Sequence, residues 1–333
     1  MSTPEHKEMT FAEAIRLALA EEMRRDPTVF IIGEDIGRGG GVFKVTVGLI
    51  DEFGPQRVID SPISEAAIAG IGVGTAVTGM RPVVEIMFGD FITLAMDQIV
   101  NQAAKFRYMT GGQARVPMVV RTTLGAGRSS AAQHSQSLYA WLAHIPGLKV
   151  IIPSTPYDAK GLLKSAIRDD NPVVFYEDKM MYKLTGPVPL DDYTIPIGVA
   201  DVKRQGDDVT LVATSSMVHV ANKAADLLAE EGISVELVDP RCLKPLDIET
   251  VLASVRKTGR ALVVDEGYHS YGITAEIAAL ISELAFDDLD APVQRLGAMD
   301  VPIPFSPALE FETIPTEAMI VDIVKRNLIS RSR

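Results

Sequence analysis

Residues Met118–Ile152 read MVVRTTLGAGRSSAAQHSQSLYAWLAHIPGLKVII: two β-branched runs, Met118–Thr122 and Lys149–Ile152, separated by a long polar loop and an aromatic, apolar stretch. Short runs that are apolar throughout suit strands buried on both faces of a parallel sheet. The same texture recurs outward at Val29–Ile32, Val83–Phe88 and Val173–Tyr176, with helical stretches between. Thr10 and Glu13 form a capping box ahead of a helix that runs to Asp26-Pro27. The alternation predicts an α/β fold with helices on both faces of the sheet. Long polar loops are unusual in compact domains and tend to carry function, and His134 in this one can titrate near neutral pH. A surface loop with an incidental histidine is the competing reading.

The texture changes between Tyr182 and Gly198, where Gly186, Pro187, Pro189 and Pro196 break regular elements and predict an interdomain linker. A second alternating set follows, with strands at Val209–Ala213, Ser234–Val238, Ala261–Val264 and near Val293–Leu296. Helices are expected at Val218–Glu231, Ile248–Lys257, Thr274–Leu284 and Glu317–Leu328. A chain of 333 residues exceeds what one core usually serves, so two α/β domains are expected.

The net charge of −12 argues against nucleic acid and anionic membranes as partners and suits a basic protein partner. The lone Cys242 excludes an internal disulfide and a thiolate metal cluster, and reads as a small buried residue. The N-terminal segment lacks a signal pattern and no apolar run reaches spanning length, so a cytoplasmic location is expected.

Several segments invite chemistry. Gly37–Gly41 follows a strand, but the β-branched Val42–Val47 does not suit the helix that a dinucleotide fingerprint opens. Ser61–Gly70 reads SPISEAAIAG; Ser64 or Ser61 can cap a helix poor in bulk, with Gly70, Gly72 and Gly74 within it. Each helical glycine costs about 1 kcal/mol relative to alanine, which a close approach by a backbone or a flat ligand would offset. Glu65 begins that helix, either as a charge favourable to the helix dipole or as a functional carboxyl. Phe91, after Gly89-Asp90, is a core residue or a platform for a planar ring. Asp169 and Asn171, ahead of Pro172, suit a helix-ending turn or an oxygen-lined cation site.

Together these segments closely resemble one family: the beta subunits of the thiamine-diphosphate-dependent component of 2-oxo acid and acetoin dehydrogenase complexes. The resemblance rests on Pro62–Glu65, Phe88–Asn101 (FGDFITLAMDQIVN), Gln133–Gln136 before Trp141–Leu148 (WLAHIPGL), Pro153–Leu163 (PSTPYDAKGLL) and Asp169–Pro172. Asp239-Pro240-Arg241, Pro245-Leu246-Asp247 and Val264–Gly267 extend it through the second domain. It implies a transketolase-like pyrimidine-binding domain over 1–183, a linker over 184–200 and a transketolase C-terminal-like domain over 201–333.

The resemblance also implies roles. Glu65 matches the glutamate that bonds a ring nitrogen of the cofactor's aminopyrimidine, Phe91 the ring that packs on it, and His134 a histidine serving acyl transfer to a lipoyl group. Met118, Ala166, Ile167, Asp169 and Asn171 match a potassium site. Thiamine enzymes hold magnesium and diphosphate with a Gly-Asp-Gly motif followed by asparagine, and Gly206-Asp207-Asp208 and Gly89-Asp90-Phe91 are not that motif. The resemblance therefore implies an alpha subunit that supplies the diphosphate half, in an alpha2beta2 heterotetramer served by a lipoyl acyltransferase core. Gly125–Ala132 and Glu177–Gly186 look most like acetoin-cleaving chains, then pyruvate-type ones. The alternatives are a branched-chain 2-oxo acid subunit, a self-sufficient transketolase-like transferase and a non-catalytic assembly subunit.

Overall fold

A computed structural model describes residues 6–329. The chain divides into two compact units, one of residues 1–124 and 141–197, the other of residues 125–140 and 198–333. The loop 125–140 thus groups with the second half of the chain, although it leaves and re-enters the first.

In the first unit six strands run parallel in the order Lys149–Ile151, Val173–Asp178, Val119–Leu124, Arg81–Ile86, Val29–Gly33, Val58–Asp60. Val29–Gly33, Val119–Leu124 and Val173–Asp178 are buried at every position, which explains why they read as continuous apolar runs. Helix Phe11–Arg25 starts on the expected capping box: Thr10 Oγ1 accepts from Glu13 N–H at 3.2 Å and Glu13 Oε2 accepts from Thr10 N–H at 2.8 Å. Its apolar side, with Phe11, Ile15 and Leu19 buried, packs against helix Pro156–Arg168.

The expected linker is more structured than its prolines suggest. Thr185–Pro189 is a strand paired antiparallel with His6–Thr10. Such a two-stranded ribbon tolerates proline because half of its N–H groups face no partner. Lys160, fully buried, secures the following residues by donating to the carbonyls of Pro189 at 2.8 Å and Asp191 at 3.1 Å, and it pairs with Glu21 at 3.0 Å.

The second unit holds a five-stranded sheet in the order Gln294–Ala298, Ala261–Tyr268, Val209–Ala213, Val235–Asp239, Asp201–Arg204. Asp201–Arg204 is an antiparallel edge and the other pairings are parallel. Helices Met217–Glu230, Ile248–Thr258 and Ile273–Leu284 cover it, and Leu211, Leu237, Leu262, Leu228 and Ile320 centre its core. The expected C-terminal helix is α-helical over Glu317–Ile323 and continues as a wider π-helical turn over Val324–Ile329. Among the described residues no helix is long and apolar enough to cross a membrane.

Candidate active site

Glu65 is the first residue of helix Glu65–Val77. Ser64 occupies the N-cap position without a capping bond from its side chain, and the Ser61 hydroxyl donates to the Pro62 carbonyl, so neither serine caps as expected. The Glu65 side chain is only 9% exposed, and among the described residues nothing donates a hydrogen bond to its carboxylate or pairs with it. Its oxygens are not among the fully buried atoms left without a partner, so the carboxylate of this largely buried residue still reaches solvent and is open to a ligand that brings its own N–H or protonated ring nitrogen. Glu34, at the end of the neighbouring strand, was not singled out from the sequence. Burial pushes its carboxyl above the ordinary range, and the charges of Asp35 and Glu65 add to the effect.

The helix packs against the Gly89–Ala95 turn that carries Phe91. Gly89 is required there, because a Cβ would lie 2.2 Å from the Thr123 carbonyl oxygen on the adjacent strand. The half-buried Phe91 ring meets Phe88 edge-on at 6.0 Å. Phe88 meets Phe43 at 5.7 Å, and Phe43 stacks on Tyr182 at 4.7 Å, so an aromatic chain backs the Phe91 turn.

Beneath that chain lies a buried ion cluster that sequence reasoning missed. Arg121 donates to both oxygens of Glu177, at 2.7 and 2.8 Å, and to Glu85 at 2.7 Å; the Tyr182 hydroxyl donates to Glu177 at 2.7 Å. Burial alone would lower the Arg121 pKa, but the two carboxylates hold it above the usual guanidinium value. Burial raises the Glu85 carboxyl, against the pull of Arg121. These groups line a cavity of about 10 Å³, room for about one water molecule. Charged residues inside otherwise largely apolar strands, Glu85, Arg121 and Glu177, were the available signal.

His134 is half-buried on the loop of the second unit, with its N–H 3.3 Å from the Ala131 carbonyl. The flanking Ser135 and Ser137 hydroxyls are buried without a hydrogen-bond partner among the described residues. Glu65 and Phe91 thus belong to the first unit and His134 to the second.

The five residues of the expected cation site are all in the first unit. Arg81 Nη1 donates to the carbonyls of Ile167 and Asp169 at 3.0 Å each, the Met118 carbonyl accepts from Val173 N–H at 2.9 Å and the Ala166 carbonyl from Asp169 N–H at 3.3 Å. Asn171 donates from its backbone and side chain to Asp169 Oδ1, at 2.8 and 2.9 Å, and accepts from Arg107. Asp169 is also the C-cap of helix Pro156–Arg168, the helix-ending turn anticipated as the simpler reading. Each carbonyl retains a second lone pair, so the oxygens remain chemically competent cation ligands.

The chain is similar to known proteins along most of its length. Residues 7–185 match the family described as "Transketolase, pyrimidine binding domain" and residues 198–320 match "Transketolase, C-terminal domain". The chain is 50% identical over 327 residues to the beta subunit of acetoin:2,6-dichlorophenolindophenol oxidoreductase of Bacillus subtilis (strain 168), covering 95% of this chain and 96% of that protein. It is 51% identical to the 2-oxoisovalerate dehydrogenase beta subunit of the same organism, over 91% of this chain and 93% of the other. It is also 50% identical to the pyruvate dehydrogenase E1 component beta subunit of Rhizobium meliloti (strain 1021), over 95% and 69%. A solved split-gene transketolase, described as an inactive beta4 tetramer, shares the fold with a TM-score of 0.80 at 24% identity, covering 98% of this chain and 99% of the other. The chain belongs to the beta subunits of the thiamine-diphosphate-dependent 2-oxo acid dehydrogenases, oxidoreductases built on the transketolase fold.

Proposed function

We propose that this chain is the pyrimidine-binding half of an enzyme that oxidatively cleaves acetoin or pyruvate and passes the acyl group to lipoamide. The observation that carries the reading is the buried Glu65 carboxylate, for which the described residues supply no donor. Thiamine diphosphate, when bound, would supply the carbon nucleophile for the substrate carbonyl. Glu65 would accept a hydrogen bond from, and so hold a proton at, a pyrimidine ring nitrogen. Phe91 would give the ring a flat apolar support, and His134 would move a proton at an imidazole nitrogen as the acyl group departs. Magnesium and the diphosphate would be held by an alpha subunit in an alpha2beta2 assembly, since this chain lacks the Gly-Asp-Gly motif. The unsatisfied Ser135 and Ser137 hydroxyls support a loop that is completed by another group.

Functional domains are assigned to 1–183 and 201–333 with a linker over 184–200, the His134 loop being contributed by the first stretch of sequence to the second compact unit. Potassium, if held, would use the carbonyls of Met118, Ala166, Ile167 and Asp169 together with Asn171. Exchanging potassium for a larger organic cation should then lower the stability of the first unit, whereas an unchanged melting profile would reject that site. A cytoplasmic location and a lipoyl acyltransferase core complete the assignment.

The test is reconstitution with an alpha subunit, followed by dye- and lipoamide-coupled assays on acetoin, pyruvate and branched 2-oxo acids. Glu65→Gln should lower turnover by about a hundredfold or more, the scale of a general acid–base contribution, while the assembly stays intact. Full activity in that variant would return Glu65 to a helix-dipole role. Tight, stoichiometric cofactor binding by the isolated chain would reject the divided site.

A further inference from the structure

The loop that carries His134 is held within its unit by three carboxylates distant in sequence. Glu310, on the short helix Pro307–Thr313, is fully buried, and its two oxygens accept from the N–H groups of Gly127 and Ser129 at 2.8 Å each. The Ser129 hydroxyl lies 3.4 Å from the same carboxylate. Glu266 accepts from Ala126 N–H just upstream. At the other end of the loop the Tyr139 hydroxyl lies 2.7 Å from both Asp265 oxygens and accepts from Gly267 N–H at 2.9 Å. Between these anchors Ser129 and Ala131 have φ of 53° and 61°, a left-handed conformation that non-glycine residues keep only where surrounding bonds enforce it.

Among the described residues no lysine or arginine forms an ion pair with Glu310; its bonded donors are those of the loop. A buried charge of this kind is a poor choice for stability alone, because an apolar side chain of similar volume would avoid the desolvation it incurs. What the carboxylate provides is two acceptors in one plane, matched to two amides that flank a single residue. A glutamine would turn one acceptor into a donor facing an N–H.

We propose that Glu310 is a positioning residue for His134: by gripping the Gly127 and Ser129 amides it sets the loop conformation from which the imidazole acts. The inference rests on the reading of His134 as the group serving acyl transfer to lipoamide. Glu310→Gln in the complex reconstituted with the alpha subunit and lipoyl core should lower lipoamide-coupled kcat by about tenfold or more, the scale of a misplaced reacting group. Dye-coupled turnover and the KM for the oxo substrate should stay within about twofold of the unaltered complex, because those report steps upstream of the transfer. His134→Ala should likewise lower lipoamide-coupled kcat by about tenfold or more. If it retains lipoamide-coupled turnover, the reading of His134 falls and this inference with it. If His134→Ala is impaired while Glu310→Gln is not, or if Glu310→Gln lowers both assays equally, the Glu310 inference alone is overturned. Should Glu310→Gln fail to assemble, hydrogen exchange in the unaltered complex decides: the Gly127 and Ser129 amides should exchange at least about tenfold more slowly than that of Ser130, and equal rates overturn the proposal.

Discussion

Arg121 is the residue on which the floor of the first unit turns. It neutralises one of two buried carboxylates and hydrogen-bonds both, so its removal would leave Glu85 and Glu177 facing each other without a cation. Arg121→Ala should therefore destabilise the protein by about 3–5 kcal/mol in urea unfolding, the usual penalty for stripping one partner from a buried pair. Tyr139→Phe is milder. It removes one donor to Asp265, which retains the Thr214 hydroxyl and Gly267 N–H, so a loss of about 1 kcal/mol is expected from the same measurement. Burial raises the Asp265 carboxyl above its ordinary value, and the hydrogen bonds from Thr214, Tyr139 and Gly267 oppose that rise. These roles were poorly legible in the sequence. Glu310 stands 183 residues from Gly127, and nothing local at either position signals the other. Glu65 stood out only because its neighbours Ala66, Ala67, Ala69 and Gly70 are small and uncharged.

Elements buried on both faces were the readable ones. Val29–Gly33, Val119–Leu124 and Val209–Ala213 lie close to where their β-branched runs predict, because burial on both faces leaves a continuous apolar signature. The ribbon of His6–Thr10 with Thr185–Pro189 escaped notice: half of its residues are exposed, most are polar or proline, and the pairing is carried by the backbone. Phe91 was singled out after Gly89-Asp90, but the tight 3-10 turn of Gly89–Ala95 and the close passage of Gly89 against Thr123 are tertiary features that the sequence does not announce. That contact makes Gly89→Ala a sharp test of the turn. The added methyl would force the segment off the strand, at a cost of about 1–3 kcal/mol, as for other overpacked sites. Thermal melts should show that loss, and a displaced Phe91 should weaken cofactor affinity in the reconstituted enzyme.

Across the whole molecule, acid is the expected weakness. Burial would raise the Asp169 carboxyl, but hydrogen bonds from Lys149 and Asn171 outweigh it and hold the group below its ordinary value. Asp247, which caps helix Ile248–Thr258, behaves alike: burial raises it, and the N–H groups of Ala200 and Thr250 with the Thr250 hydroxyl more than compensate. A carboxyl depressed in the folded state contributes stability that is present above its unfolded value, about 4, and is lost as pH falls through the folded one. The melting temperature should thus drop steeply as pH falls from about 5 towards 3. Asp247→Asn removes this titrating group and should flatten that slope, while lowering neutral-pH stability by the contribution the carboxylate makes and by setting an amide NH2 against one of two backbone N–H groups. A slope identical to that of the unaltered protein would show that other groups govern acid unfolding.

The grouping of residues 125–140 with the second unit bears on how such proteins diversify. The linker looks like the natural joint at which two parents could be recombined. A chimera spliced between residues 184 and 200, however, would inherit its His134 loop from one parent and Asp265, Glu266 and Glu310 from the other. Loop and clamp are therefore expected to be inherited together, and productive recombination should need two crossovers, flanking the loop as well as the joint.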